Sequence, residues 1–169
     1  MRHDYTEEFD RIRLLPLSAS AAEQMRILRN KHSRSFFTTR EISPDEQQKW
    51  YENYLFKPND YMFSVYLKEQ DIWVGAVAIY DVDLQQKTAE FGRIIIDKEA
   101  AGLSGLGYDT TMAACKFAFE QLGLKNVHLD VYSDNYPAVH TYIKAGFHEY
   151  AQSTDSQGRR ILLMHKNQL

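Results

Sequence analysis

Two segments of this 169-residue chain combine residue types in spacings that could do chemistry. The first is a loop at positions 102–107, Gly-Leu-Ser-Gly-Leu-Gly, between an apolar strand candidate and a helix candidate. A helix start presents unpaired N–H groups and about +0.5 of a charge, and glycines let an anion approach the backbone closely. The loop therefore predicts a phosphate-binding turn, with a ligand-free strand-to-helix turn as the alternative. It lacks the Gly-Lys-Ser/Thr ending of a P-loop, which argues against a nucleotide hydrolase.

The second segment, from Asn135 to Phe147, contains the spacing Asn-x-x-Ala-x-x-x-Tyr-x-x-x-Gly-Phe after a short apolar strand. It places an amide side chain, Asn135, and a phenol, Tyr142, on one short helix. Asparagine is also a favoured helix cap, and a lone tyrosine usually packs between a helix and a sheet, so each residue has an ordinary structural explanation. Glu90, on an upstream strand, is a carboxylate that could accept a proton or could simply face solvent.

Hydrophobic periodicity predicts the elements that must position these residues. A 3.6-residue period indicates helices, one over 21–31 and one that begins at Pro44 behind the cap residue Ser43. The period then falls to two, which indicates strands. The predicted order is a strand at 11–17, the two helices, strands at 61–67, 72–80 and 88–96, a helix at 108–122, a strand at 127–132, a helix at 136–144, and a hairpin of strands at 147–153 and 160–165. Residues 4–10 are expected to fray.

This order defines a mixed α/β domain, and composition bounds its function. Its centre, 88–132, should be a parallel, right-handed strand–helix–strand unit. The 20 Lys and Arg residues against 23 Asp and Glu give a net charge of −3, which argues against a general nucleic-acid binder. No apolar run approaches the roughly 20 residues that span a bilayer, and 1–10 is too polar for a signal peptide. Cys115 is the single cysteine, so we expect no disulfide within the chain and no cysteine-rich metal site. Together these features predict a cytoplasmic protein without a metal and without a membrane partner.

The segment from Asn135 to Phe147 resembles the C-terminal motif of the GCN5-related N-acetyltransferases (GNAT), and the Gly-x-Gly loop resembles their acetyl-CoA pyrophosphate motif. Residues 89–96 look like the central strand of that family. Residues 28–30, 42–43 and 47–50 resemble its ribosomal-protein-acetyltransferase branch, which also includes acetyltransferases of amino sugars and polyamines. The resemblance implies a single GNAT domain over 1–169, with a central mixed twisted sheet of about seven strands and helices on both faces.

The resemblance also implies acetyl-CoA as the acyl-donor cosubstrate and assigns roles to residues. Backbone groups of Ile94 and Ile96, freed where two strands splay apart, would bind the pantetheine arm, as would the side chain of Asn135. Tyr142 would protonate the leaving thiolate as a general acid, and Glu90 would accept the proton of the amine. The pyrophosphate would be held by the segment Gly105, Leu106, Gly107, Tyr108 and Asp109.

The loop departs from the family pattern Arg/Gln-x-x-Gly-x-Gly, because Gly102 stands where the first residue belongs. Leu103 and Ser104 also stand where Gly-Lys is common. Loss of one charge-assisted hydrogen bond should weaken cofactor binding by about 1.5–3 kcal/mol, or about ten- to a hundredfold, unless another residue substitutes. The departure concerns cofactor affinity and leaves the predicted fold unchanged.

The function that the resemblance implies is transfer of an acetyl group to a primary amine of a small molecule, an amino sugar or a polyamine, by direct attack in a ternary complex. The alternatives are a ribosomal-protein N-terminal acetyltransferase and a non-catalytic acyl-CoA-binding module. Residues 33–40 could hold an anionic acceptor or form a solvated loop, whereas Asp81 and Asp83 could attract a polycation. The sequence leaves open whether the chain forms a homodimer.

Overall fold

The computed structural model describes residues 1–32 and 40–168, so the predicted acceptor-binding or solvated loop at 33–40 lies almost wholly outside the described residues. None of the described helices is both long and apolar enough to cross a membrane. The elements in chain order are β1 (Glu7–Phe9), β2 (Ile12–Pro16), α1 (Ala19–Lys31), α2 (Pro44–Tyr54), β3 (Tyr61–Leu67), β4 (Ile72–Asp83), β5 (Thr88–Ile96), α3 (Lys98–Ala101), α4 (Leu106–Lys116), a π-helical turn (Phe117–Gln121), β6 (Asn126–Tyr132), α5 (Tyr136–Lys144), β7 (His148–Thr154) and β8 (Arg160–Asn167).

The strands form one mixed sheet in the order β1-β2-β3-β4-β5-β6-β8-β7. Strands β5 and β6 run parallel, as predicted, and every other neighbouring pair is antiparallel. The predicted mixed α/β class is therefore confirmed, with eight strands in the sheet among residues 1–32 and 40–168 in place of about seven.

Each face of the sheet is covered by helices, because successive side chains of a strand point to opposite faces. Helices α1 and α2 enclose one core, which includes Leu28, Tyr54 and Met62. Helices α4 and α5 enclose the larger core on the other face, which includes Phe63, Phe91 and Phe147. Each side of the sheet therefore has its own core, and the candidate site has residues on both sides.

The start of α2 follows the capping signal in its sequence. The Ser43 hydroxyl accepts from the Glu46 N–H at 3.3 Å, and the Glu46 carboxylate accepts from the Ser43 N–H at 2.8 Å. The hydrogen bond from the Ser43 backbone, followed by one from Arg40, lowers the pKa of Glu46 to about 2. This reciprocal cap satisfies two backbone donors and fixes where the helix begins.

The expectation that residues 4–10 fray is wrong for their second half, which forms strand β1. Glu7 is buried, and its carboxylate accepts from Lys116 Nζ and Gln121 Nε2, each at 2.7 Å. The turn into β2 passes through Asp10, whose φ of 44° is left-handed. Contacts more than 100 residues away in the sequence thus order a segment whose own composition is polar.

The segment after β5 also differs from the prediction of a single loop, because it contains the one-turn helix α3. Asp97 Oδ1 caps this turn by accepting from the backbone N–H groups of Glu99 at 3.1 Å and Ala100 at 3.0 Å. Gly102 ends the turn with a left-handed φ of 61°. The residue that departs from the family pattern therefore has a structural role as a helix stop.

Candidate active site

Strands β5 and β6 separate after a short parallel pairing. Thr88 to Glu90 pair with Asn126 to His128, and beyond these residues β5 pairs only with β4 while β6 pairs only with β8. The gap between β5 from Phe91 onward and β6 from Leu129 onward is called here the strand opening. Such a gap leaves the facing backbone groups of β5 available to a ligand.

The predicted pantetheine-binding residues lie on the edge of the strand opening. On the other edge of β5, the Asp97 N–H donates to the Val74 carbonyl of β4 at 2.7 Å. Backbone groups of successive strand residues point to alternate edges, so the N–H groups of Ile96 and Ile94 face away from β4. Both residues are half-buried. The geometry therefore agrees with the splaying that the resemblance implies.

A bulge in β5 sets this edge. Between the pairs Ala78↔Gly92 and Ala76↔Ile95, β5 contains one more residue than β4, and Arg93 has a left-handed φ of 50°. A residue other than glycine rarely adopts this conformation without support.

The support for the bulge comes from an ion pair beneath it. Arg93 Nη1 donates to both carboxylate oxygens of Asp60, at 2.7 and 2.9 Å, and Asp60 is only 1% exposed. The Arg93 guanidinium also lies 4.1 Å from the ring centre of Tyr80. Sequence reasoning missed Asp60, because it lies 33 residues away and its neighbours form no motif.

Glu90 lies opposite Tyr80 in the β4–β5 pairing, and the Tyr80 hydroxyl donates to Glu90 Oε1. Burial, and then this hydrogen bond, raises the pKa of Tyr80 above its usual range, so the phenol remains a donor. Tyr80 packs against the core beneath α1 and α2. In the parallel pair, Glu90 is also the register partner of His128. The predicted base is thus a half-buried carboxylate on the α1/α2 side of the sheet.

Tyr142 lies on the opposite side of the sheet, in the core beneath α4 and α5. Its ring packs edge-on against Phe91, with 5.7 Å between the ring centroids, and lies 6.0 Å from Phe147. Phe91 follows Glu90, at the point where the strands separate. Burial raises the pKa of Tyr142 to about 12, so its hydroxyl is protonated at neutral pH.

Asn135 precedes α5 without capping it through its side chain. It occupies the cap position with φ −83° and ψ 63°, and no side-chain capping hydrogen bond forms. The helix-cap explanation of this residue therefore does not hold for its amide group. Asn135 is half-buried and lies between the end of β6 and the start of α5.

The hydrogen bonds at the start of α4 show which backbone N–H groups can still donate to an anion. Gly105 occupies the cap position with a left-handed φ of 84°, and it provides no side-chain cap. Its carbonyl accepts from the N–H groups of Tyr108 at 3.0 Å and Asp109 at 3.3 Å. The amides of Leu106 and Gly107 precede this first helical hydrogen bond, so they are the orphan donors of the helix start. A Cβ atom at Gly107 would meet only a methyl group of Thr141, at 4.0 Å.

The side chain of Asp109 forms an ion pair with Arg11. It is 3% exposed, and its Oδ2 accepts from Arg11 Nε at 2.7 Å. Arg11 also donates through Nη1 to the carbonyl of Ser104 at 3.0 Å. Sequence reasoning did not single out Arg11, because it precedes β2 and only the fold brings it to the loop.

A concave surface of about 360 Å³ follows the end of β5. It is lined by His32 and by the segment from Ile94 to Glu99. Cys115 is buried elsewhere, and this burial raises the pKa of its thiol to about 12, so it is a core residue and not an activated nucleophile.

The strand opening begins at Glu90 and Phe91, and the orphan amides of α4 follow β5 along the chain. This arrangement suits an enzyme that binds an extended, phosphate-containing donor. The chain belongs to the acetyltransferase (GNAT) family, whose domain profile matches residues 11–148. It is therefore an N-acetyltransferase with acetyl-CoA as its acyl donor.

Solved structures show the same fold. The spermidine N-acetyltransferase from Vibrio cholerae in complex with CoA and spermine has a TM-score of 0.83 and 23% identity, over 94% of this chain and 96% of that one. A chimera of the Vibrio cholerae enzyme and hSSAT has a TM-score of 0.78 and 24% identity, over the same shares of the two chains. No curated protein matches the sequence significantly.

Proposed function

We propose that this chain acetylates a primary amine of a small molecule, a polyamine in the first instance, by direct attack of the amine on acetyl-CoA in a ternary complex. The observation that carries the proposal is the strand opening, together with the orphan amides of α4, the helix that follows β5 and α3 along the chain. Glu90 and Tyr142 belong to opposite sides of the sheet at the point where this opening begins.

Acetyl-CoA supplies the acetyl group as a thioester. Ile94 and Ile96 would bind its pantetheine arm through their backbone groups, and the free amide of Asn135 would bind the same arm. Leu106 and Gly107 would donate their N–H groups to the pyrophosphate, favoured by the positive end of α4. Gly105, Tyr108 and Asp109, which the resemblance also assigns to the pyrophosphate, would shape the turn in this proposal, since the amides of Tyr108 and Asp109 already donate to the Gly105 carbonyl.

The proposed proton transfers use the two sides of the sheet. At pH 7 an amine with a pKa near 10.4 is neutral in only about 1 molecule in 2500, which costs roughly 4.6 kcal/mol. Glu90 accepts this proton, directly or through water, while the Tyr80 hydroxyl orients its carboxylate. The C–N bond forms and the C–S bond breaks, and Tyr142 donates its proton to the departing sulfur. The second proton that the acetylated nitrogen loses restores the Tyr142 phenol, so the products are the neutral amide, free CoA thiol and the proton held by Glu90.

A polyamine is favoured over an amino sugar by two observations. The chain matches a spermidine N-acetyltransferase over nearly the whole length of both proteins. Asp97 and Glu99 also line the concave surface at the end of β5, together with His32 and Lys98. Glu99 pairs with Lys31 at 2.6 Å, so Asp97 is the carboxylate of this surface without a cationic partner among the described residues. Cationic acceptors are attracted by such groups, and the chain as a whole has a net charge of −3.

The proposed function is tested by calorimetric titration with CoA, followed by thiol release with spermidine, spermine, an amino sugar and N-terminal peptides as acceptors. We expect micromolar CoA binding, as for typical enzyme substrates, and a polyamine kcat/KM at least about tenfold above the other acceptors. Faster turnover of peptides would support the N-terminal acetyltransferase alternative. CoA binding without turnover of any amine would support a non-catalytic acyl-CoA-binding module.

The Glu90→Gln variant tests the proposed base. At pH 7 we expect kcat/KM for the polyamine to fall by about 100-fold or more, because no carboxylate remains to accept the proton. The ratio of wild-type to variant rates should shrink as the pH approaches 10, where the free amine becomes abundant. Initial rates across pH 6 to 10 measure this convergence.

Asp130→Asn is the matched control. Asp130 is an exposed carboxylate on β6, two residues after His128, which is the register partner of Glu90. It should retain wild-type rates at every pH. A loss in Asp130→Asn with none in Glu90→Gln would transfer the base role to β6.

A further inference from the structure

Arg11 connects the N-terminal hairpin to the loop that precedes α4. Its guanidinium donates to Asp109 Oδ2 at 2.7 Å and to the Ser104 carbonyl at 3.0 Å, across 98 and 93 residues of sequence. These two acceptors flank the turn at Gly105. A Cβ atom at Gly105 would lie 3.1 Å from Arg11 Nη2, so the guanidinium occupies the side of the turn where a side chain would be.

The ion pair also controls the charge beside the proposed phosphate site. Asp109 lies in the first turn of α4, and only 3% of its side chain is exposed. A buried carboxylate at this place repels a bound pyrophosphate, because little water screens the interaction. The Arg11 side chain, which is 40% exposed, offsets this charge. Gly102, where the family pattern has a cationic or amide side chain, contributes no such group.

We propose that Arg11 is a positioning residue for the pyrophosphate of acetyl-CoA. It neutralises Asp109 and fixes the Ser104–Gly105 turn, and so it keeps the orphan amides of Leu106 and Gly107 available to an anion. The inference rests on the proposed function, in which these amides bind the cofactor. It assigns a role in cofactor binding to a residue outside the glycine loop itself.

The first test is the Arg11→Met variant, which keeps the length of the aliphatic stem and removes the charge. Calorimetric titration should show a Kd for CoA raised about ten- to a hundredfold, the effect of one charge-assisted contact. With S-acetylpantetheine as the donor, which lacks the pyrophosphate, kcat/KM should stay within about twofold of the wild type. A purely structural role for Arg11 would lower the activity with both donors alike, and that result would overturn the proposal.

A second pair of variants tests the charge balance. Asp109→Asn alone removes the buried carboxylate, leaves Arg11 beside the exposed Asp10 at 3.7 Å, and should tighten CoA binding by about threefold or more. Arg11→Met combined with Asp109→Asn should recover a Kd within about threefold of the wild type, because the repelling carboxylate is gone. Weaker binding in Asp109→Asn, or no recovery in the double variant, would contradict the inference. Asp109→Asn carries the test if Arg11→Met does not fold.

Arg13→Met is the matched control, since Arg13 lies two residues further along the chain, in β2, and its guanidinium donates to Asp71 rather than to the loop. Its Kd for CoA should be unchanged. If the wild-type chain itself binds no CoA, the proposed function fails. If the wild type binds CoA and Arg11→Met binds it equally well, only the role of Arg11 is rejected.

Discussion

Replacing Tyr142 by phenylalanine should lower kcat by about 10²–10⁴-fold while the Kd for CoA changes little, because the substitution removes only a proton donor. The hydroxyl is the sole group lost. The ring and its edge-on contact with Phe91 remain, so packing in this core is preserved. A fall in kcat with an unchanged thermal unfolding midpoint is the expected combination.

The dependence of kcat on pH gives a second expected result for the same variant. A general acid acts in its protonated form, and burial raises the pKa of Tyr142 to about 12. Its contribution should therefore persist throughout the neutral range and be lost only as the pH rises toward about 12. Wild-type kcat should show no alkaline fall from Tyr142 below about pH 11, and the variant should be slower by a constant factor over that range.

The control for this variant is Tyr136→Phe, which alters a phenol on the same helix that is 74% exposed. It should retain full kcat. Equal rates for Tyr142→Phe and the wild type at all pH values would remove Tyr142 from the general-acid role. A loss confined to KM would instead assign it to substrate binding.

Local sequence signals were enough to predict most of this fold. The bounds of β5 and α5 agree with the predicted ranges 88–96 and 136–144, since each is set by a strong local period and by turn residues. The reciprocal cap at Ser43 is likewise a signal contained in four residues. Elements that depend on distant partners were not predicted, and strand β1 is the clearest example, because its burial depends on Lys116 and Gln121.

The candidate site shows the same division. The glycine loop, Asn135 and Tyr142 can be found from spacing, because each lies within one short segment that resembles the family. Arg11 and Asp60 cannot, since their partners Asp109 and Arg93 lie 98 and 33 residues away. Motifs point to the residues that are proposed to contact the cofactor and the acceptor, whereas the ion pairs beside those residues become visible only in three dimensions. The homodimer that the sequence leaves open stays a prediction.

Replacing Gly107 by aspartate should weaken CoA binding without lowering the thermal stability of the fold. A Cβ atom fits here, with only the Thr141 methyl group at 4.0 Å, and Gly107 has no left-handed φ that would strain a new side chain. Replacing glycine lowers the conformational entropy of the unfolded chain, and a carboxylate in the first turn adds about 0.3–1 kcal/mol through the helix dipole. The thermal unfolding midpoint should therefore be equal to or above that of the wild type.

Binding of CoA should fall sharply in the same variant, because the new carboxylate lies where the pyrophosphate is proposed to be. Two unit charges about 4 Å apart interact by about 4 kcal/mol at an effective dielectric constant of 20. With part of this repulsion screened, we expect Kd to rise by at least about 100-fold, and the rise should shrink as salt is added. Calorimetric titration at low and high ionic strength measures both effects.

Gly107→Asn is the matched control, because it has nearly the same shape and hydrogen-bonding reach but no charge. If the helix start holds the pyrophosphate, the asparagine variant should bind CoA far more tightly than the aspartate variant, and the gap between them should close with salt. Equal losses in both variants would mean that bulk, and not charge, obstructs the ligand. An unchanged Kd in Gly107→Asp would place the pyrophosphate away from α4, because no anion bound at those amides could tolerate a carboxylate beside it.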